Sequence, residues 1–196
     1  PSEPYVSVDP ALAEAWSDRL PRQGFRVGIV WAGQARPWLP GFASVDRRRG
    51  VGFHDLAGLA DIPGVVPVSL QMGASCADGH GVHDPMPAVR DFADTAAIIA
   101  NLDLVVSVDT SVVHLAAAMG KRVFLLDRYD NCWRWLHGRT DSPWYPSLMI
   151  FRQDRPLDWS EPLERMRATV AGLAAFNAPA ATPGHPCHPP QLVDAA

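Results

Sequence analysis

Lysine is almost absent from this chain: Lys121 stands alone among 17 basic residues. Nearly every cation is therefore a guanidinium, which suits bidentate contacts with phosphate or carboxylate and follows equally from coding bias. Cysteine is scarce too. Cys76, Cys132 and Cys187 are far apart and odd in number, which excludes a disulfide framework and a zinc spacing and fits a reducing cytoplasm. Positive charge is not in excess; the net charge of −4 leaves no electrostatic footprint for nucleic acid or an anionic membrane. No apolar run approaches the ~20 residues of a bilayer-spanning helix, and the opening residues lack a charged-then-apolar leader pattern. Also missing are G-x-G-x-x-G after the first strand-like run and G-x-x-x-x-G-K-[ST] anywhere, which argues against a dinucleotide dehydrogenase and a P-loop NTPase.

What is present is a globular composition, 47% hydrophobic and 19% charged, over 196 residues. That is enough for one buried domain with residues to spare at its ends. Residues 1–24 read as a connector with a short helix that carries Leu12, Trp16 and Leu20 on one face and needs a surface to lie on. The abrupt start, Pro1-Ser2-Glu3-Pro4, suggests a piece that follows something longer. Residues 25–177 alternate strand and helix patterns. FRVGIVW, VVPVSLQ, LVVSV, RVFLLD and SLMIFRQ are apolar runs of strand length, and FHDLAGLADI, DFADTAAIIANL, the segment from Ser111 to Met119 and 159–176 have helical spacing. Residues 33–52 have no clear period and read as a long loop bearing Arg36, Trp38 and the run Arg47-Arg48-Arg49. Residues 178–196 are too poor in core residues to fold, and their His185, Cys187 and His188 lack the second half of a tetrahedral metal site. His80 and His83 sit among glycines rather than carboxylates, so no metal site is expected.

Alternating strands and helices imply an α/β fold: an open parallel sheet with helices on both faces and right-handed connections. Ligands in such sheets bind beyond the carboxyl ends of the strands, where the winding reverses. With strand order 2-1-3-4-5, the turn Ala32-Gly33 meets the start of the helix after the third strand. There Asp109-Thr110-Ser111 supplies capping side chains, Gly120 sits at the left-handed position past the helix end, and the leading amides with the helix dipole form a phosphate site. His114, one turn on, reaches the same rim. The same residues serve equally well as simple caps with a packed core histidine. The three arginines read as a solvated patch or, with the loop folded back, as a clamp on a diphosphate. The ring-rich stretch 128–146 either plugs a core or walls a pocket.

VGIVWAG, VSLQ, DFADTAAIIANLDLVVSVDTSVVHLAAAMG, the WRW of NCWRWLHGR and DSPWYPSLMIFRQ together resemble the C-terminal half of glycosyltransferase family 9, the heptosyltransferases, in the branch that carries tetratricopeptide repeats. The likeness covers roughly residues 4–175. It implies a Rossmann-like C-terminal lobe of a GT-B fold that binds a nucleoside diphosphate sugar, with no other cofactor and with the acceptor and catalytic base on an absent N-terminal lobe. Carried over, it places the backbone of Thr110 and Ser111, with His114, around the diphosphate. Trp31, Ala32 and Gly33 then lie beside the donor, Gln71 near the base and Asp109 at the strand end. Apart from the resemblance, an arginine from Arg47 to Arg49, with Arg48 the candidate, would neutralise the departing diphosphate. Ser111 stands where heptosyltransferases often have glycine. Two other readings compete: an interaction module docking through the exposed face of the helix 11–20, and a hydrolase using Asp109 and His114, which lacks a G-x-S-x-G elbow.

Overall fold

The computed structural model describes residues 3–33, 38–39, 42–73 and 80–177. Arg36, Cys76 and the stretch 178–196 with His185, Cys187 and His188 lie outside them. Five strands, β1 (Phe25–Val30), β2 (Val65–Ser69), β3 (Leu104–Val108), β4 (Val123–Asp127) and β5 (Leu148–Arg152), form one sheet in the order β2-β1-β3-β4-β5. Every pairing is parallel. The expected α/β class and strand order are both found. Among the described residues no helix is long and apolar enough to cross a membrane.

All five residues of β3 and of β4 are buried, as central strands covered on both faces must be. Their side chains alternate between two cores. Val105, Val123 and Leu125 face α4 (Phe92–Ala100) and α5 (Ser111–Ala118), against Ile98, Ile99, Val113 and Ala116. Leu104, Val106, Phe124 and Leu126 face α3 (Phe53–Ala57) and α6 (Ser160–Asn177), against Leu56, Met166 and Val170.

The segment read as a linker is part of the first core. α1 (Pro10–Ser17) lies on α4, and Trp16 and Leu20 are buried. The Trp16 indole donates to Asp94 Oδ1 at 3.1 Å, and the amide and guanidinium of Arg90 donate to the same carboxylate at 2.9–3.0 Å. The Arg90 bonds first, then that of Trp16, hold the Asp94 carboxyl far below the usual carboxylate range. The apolar face of α1 is thus occupied within the chain, and its opposite face stays exposed.

α2 (Phe42–Arg49) occupies the segment read as an aperiodic loop. Its described side chains are tied down by charge rather than apolar burial: Arg49 pairs with Asp46 at 2.7 Å and Arg48 with Asp130 at 2.9 Å. Three arginines in the last turn also complement the carbonyl end of the helix dipole. Gly120, at φ +75°, ends α5 as expected, where a Cβ would press on Pro4. The sole lysine is structural: Lys121 Nζ donates to the carbonyls of Ala100 and Leu102 at 2.6 and 3.0 Å, closing the end of α4.

Candidate functional site

The carboxyl ends of β1, β2 and β3 open onto a cavity of 470 Å³, within the range of roughly 300–1,000 Å³ usual for small-ligand sites. Ala32 and Gly33 after β1, Gln71 after β2, and Thr110 and Ser111 at the head of α5 line it, as do Arg49 and, from α4, Phe92 and Thr95. Trp31, Arg48, Asp109 and His114, also singled out from the sequence, are not in its wall.

Each placement has a local cause. Thr110 is extended at φ −136°, ψ 171° and makes no side-chain cap, contrary to the expected capping. Its hydroxyl lies 3.1 Å from Ser107 Oγ, whose own proton goes to the Val108 carbonyl at 2.7 Å. The threonine side chain is therefore drawn back onto β3, and Thr110, Ser111 and Val112 present the head of α5 to the cavity. Helix-start amides and the positive end of the dipole there favour an anion.

Gln71 is only 6% exposed, and its carboxamide is spent on the scaffold. Its Oε1 accepts from the amides of Trp31 and Ala32 at 3.2 and 2.9 Å, and its Nε2 donates to the Met72 carbonyl at 3.3 Å. It ties the ends of β1 and β2 together while lying in the cavity wall. Trp31 turns its ring into the second core, where it meets Phe53 at 4.9 Å.

Arg49, not Arg48, is the cation at the cavity. Its Nη1 donates to the Asp109 carbonyl at 3.0 Å and its Nη2 to Asp46 at 2.7 Å, while Nε has no acceptor. The guanidinium lies against Gly33 so closely that a Cβ there would collide with it. A side chain at position 33 would displace the Arg49 head from this place.

His114 lies beside the cavity rather than in it. The ring stacks on Trp135 with centroids 5.2 Å apart and planes at 15°, and Nδ1 is 3.0 Å from the Tyr145 hydroxyl. Nε2 is 3.9 Å from Asp109 Oδ1, too far for a hydrogen bond. Burial outweighs the attraction of Asp109 and lowers the His114 pKa below its ordinary 6.5, so the ring is neutral at pH 7. Asp109 makes no hydrogen bond to the ring, so the Asp109–His114 pair of the hydrolase reading is not assembled in this geometry. Trp135 and Tyr145, missed by motif reasoning, are what orient this histidine. Of the aromatic stretch, Trp135 plugs the core and is fully buried, while Tyr129, Trp133 and Trp144 remain exposed and none of these rings lines the 470 Å³ cavity.

A second polar group surrounds the carboxyl ends of β4 and β5. Asp127 is 1% exposed, with Oδ2 accepting from Arg152 Nε at 2.8 Å and Oδ1 unpartnered. Burial, opposed by the Arg152 bond, pushes its carboxyl up to about 6. Between 3.8 and about 6 the folded protein therefore keeps a proton that the unfolded chain has released, so stability falls as pH rises through that window. Asp127→Asn is expected to abolish this falling contribution, read as thermal midpoints of the two proteins across the window. Parallel profiles would contradict the assignment. Among the described residues no group of three or more histidine, cysteine, aspartate or glutamate side chains could hold a metal ion.

Over 189 residues the chain is 29% identical to Protein FlbA of Caulobacter vibrioides, a match covering 87% of this chain and 29% of that protein. Among solved structures it superposes on the Escherichia coli ADP-heptose lipopolysaccharide heptosyltransferase II with a TM-score of 0.60 at 14% identity, over 88% of this chain and 54% of that one. It superposes on E. coli heptosyltransferase WaaC with ADP-2-deoxy-2-fluoro heptose with a TM-score of 0.52 at 17% identity, over 88% and 51%. At such identities the likeness is one of fold. The chain spans about half the length of these two enzymes and less than a third of FlbA. Residues 89–158, from just before α4 to just past β5, match the domain model of glycosyltransferase family 9 (heptosyltransferase).

Proposed function

We propose that this chain is the donor-binding lobe of a heptosyltransferase-like glycosyltransferase, the C-terminal half of a GT-B fold, and that it takes a nucleoside diphosphate sugar. The observation that carries this reading is the 470 Å³ cavity in which the head of α5 and the Arg49 guanidinium converge. The match over residues 89–158 supports it, as does the fold shared with WaaC, whose structures hold ADP or an ADP-linked fluoro-heptose. A chain spanning half of those enzymes leaves the acceptor and the base to a second lobe, and its 29% share of FlbA leaves room for repeats as well.

Inverting transfer breaks the bond between the anomeric carbon and the diphosphate, joins that carbon to the acceptor oxygen, and passes the acceptor proton to a base. This chain serves the leaving group. Charge gathering on the diphosphate meets the α5 dipole, the amides at Thr110 and Ser111, and Arg49, all fixed before reaction. With the base for the acceptor assigned to the second lobe, the purified chain should bind donor and transfer nothing by itself.

Calorimetry with ADP, UDP and GDP, alongside thermal melts, tests this. One diphosphate should bind, and at ~100 times its dissociation constant should add about 2.7 kcal/mol of stability. Binding of none of them sinks the reading, and robust transfer without a partner lobe sinks the claim of incompleteness.

A further inference from the structure

Arg48 and Arg49 are neighbours in α2, yet they serve different spaces. Arg49 faces the 470 Å³ cavity; Arg48 faces a separate one of 290 Å³ at the carboxyl ends of β4 and β5, lined by Arg48, Tyr129, Asp130, Gln153, Pro156 and Leu157. Successive helical residues point about 100° apart, so one helix end supplies a cation to each. The smaller cavity has room for one ring rather than an oligomer.

Its chemistry is mixed in sign. Arg48 Nη2 lies 2.9 Å from Asp130 Oδ2, and Arg128 Nε holds the other Asp130 oxygen from behind at 3.5 Å. A lone anion entering here meets the Asp130 carboxylate, and a lone cation meets Arg48. Gln153, 3% exposed, accepts at Oε1 from the Tyr129 amide at 3.1 Å, while its buried Nε2 has no acceptor among the described residues. A buried carboxamide nitrogen left unpaired is costly, and it belongs to a residue of the cavity wall. The rest of the wall is apolar: the half-exposed ring of Tyr129, with Pro156 and Leu157.

A ligand that suits donors, an acceptor and an apolar wall together is a neutral polyol ring. Each hydroxyl both donates and accepts, and the C–H face of the ring can lie on an aromatic side chain. The geometry points to this second cavity as a subsite for a single sugar ring, with Gln153, Asp130 and Arg48 on its hydroxyls and Tyr129 against its face. This deepens the donor-lobe reading by giving a sugar a place of its own. The ring is either the unit carried by the donor or the terminal unit of the acceptor.

Saturation-transfer NMR with methyl mannoside, methyl galactoside and methyl N-acetylglucosaminide, and with acetate and ethylammonium as charged controls, tests it. Tyr129→Ala keeps the backbone amide that Gln153 accepts and removes only the ring. Transfer to at least one glycoside is expected, weakened roughly three- to tenfold in Tyr129→Ala and also reduced in Arg48→Gln, with none to the charged controls. Silence from all the glycosides, or signals that neither variant changes, overturns the subsite. Adding ADP- or UDP-linked hexose separates the two sources: displacement of the glycoside assigns the subsite to the donor, and simultaneous binding assigns it to the acceptor. The two readings can fail separately. A nucleoside diphosphate that binds to a chain silent toward glycosides leaves the donor lobe standing and removes the subsite; a Tyr129-dependent glycoside with no diphosphate binding does the reverse.

Discussion

Replacing Arg49 with methionine is expected to weaken nucleoside diphosphate binding on the order of ten- to a hundredfold, the loss of charged hydrogen bonds worth about 1.5–3 kcal/mol. The guanidinium is 16% exposed and already aimed by two contacts, Nη1 on the Asp109 carbonyl and Nη2 on Asp46. A cation positioned this way loses little freedom when a phosphate arrives. It also sits where Gly33 lets it reach the cavity, beside the strand-to-helix turn whose amides would share the same anion.

Calorimetry on three proteins checks the effect and its cause. Arg49→Lys restores the charge but cannot span Asp46 and the Asp109 carbonyl at once, so it should recover only part of the affinity. Arg48→Met should leave nucleoside diphosphate binding as it is, because Arg48 is engaged with Asp130 outside the cavity. If Arg48→Met lost the affinity and Arg49→Met kept it, the clamp would belong to the residue that motif reasoning selected. Thermal melts of the same proteins guard against a trivial result, since Arg49→Met removes the Arg49–Asp46 ion pair from α2.

The contrast between these two arginines marks how far the sequence can be read. β3 and β4 were legible because strands covered on both faces are short, near-continuous apolar runs, as LVVSV and VFLLD are apart from Ser107 and Asp127. Alternation of strand and helix gives parallel strands without fixing their order; the order chosen, 2-1-3-4-5, is the one found, and it sets β1 beside β3. α2 was not legible. Its residues FASVDRRR carry no apolar stripe, and ion pairs formed only in the folded chain hold it. Without a helix there, nothing in the run Arg47-Arg48-Arg49 says which side chain turns toward the cavity. Thr110 failed for a similar reason: Ser107, three residues back and fully buried, takes the hydroxyl that a local rule assigns to the helix. Gln71 was found, but its work is to hold Trp31 and Ala32. A side chain that grips the backbone of a distant strand has no signature in its neighbours.

Trp135 is where stability and the site meet, and Trp135→Ala should cost about 3–5 kcal/mol, measured by urea unfolding. The indole is wholly buried, and its Nε1 has no acceptor, so truncation strands no hydrogen-bond partner and the cost is packing and cavity alone. Arg152 donates to the Trp135 carbonyl, a bond that alanine keeps. The second consequence falls on His114, which lies against the indole face at 5.2 Å. With the ring gone, water reaches the imidazole, the burial that depresses its pKa is relieved, and its titration should move back up toward 6.5. In the intact protein the unfolded chain binds the His114 proton first as pH falls, so the stability that the neutral ring contributes is whole above 6.5 and lost as pH falls through that value toward the depressed folded pKa. Trp135→Ala should flatten this rise with pH, and Trp135→Phe, which keeps a ring to stack on, should retain most of it. NMR titration of the His114 ring protons in the three proteins reads the shift directly. An unmoved titration in Trp135→Ala would mean that something other than the indole shields the histidine, and the orienting role given to Trp135 would pass to Tyr145 alone.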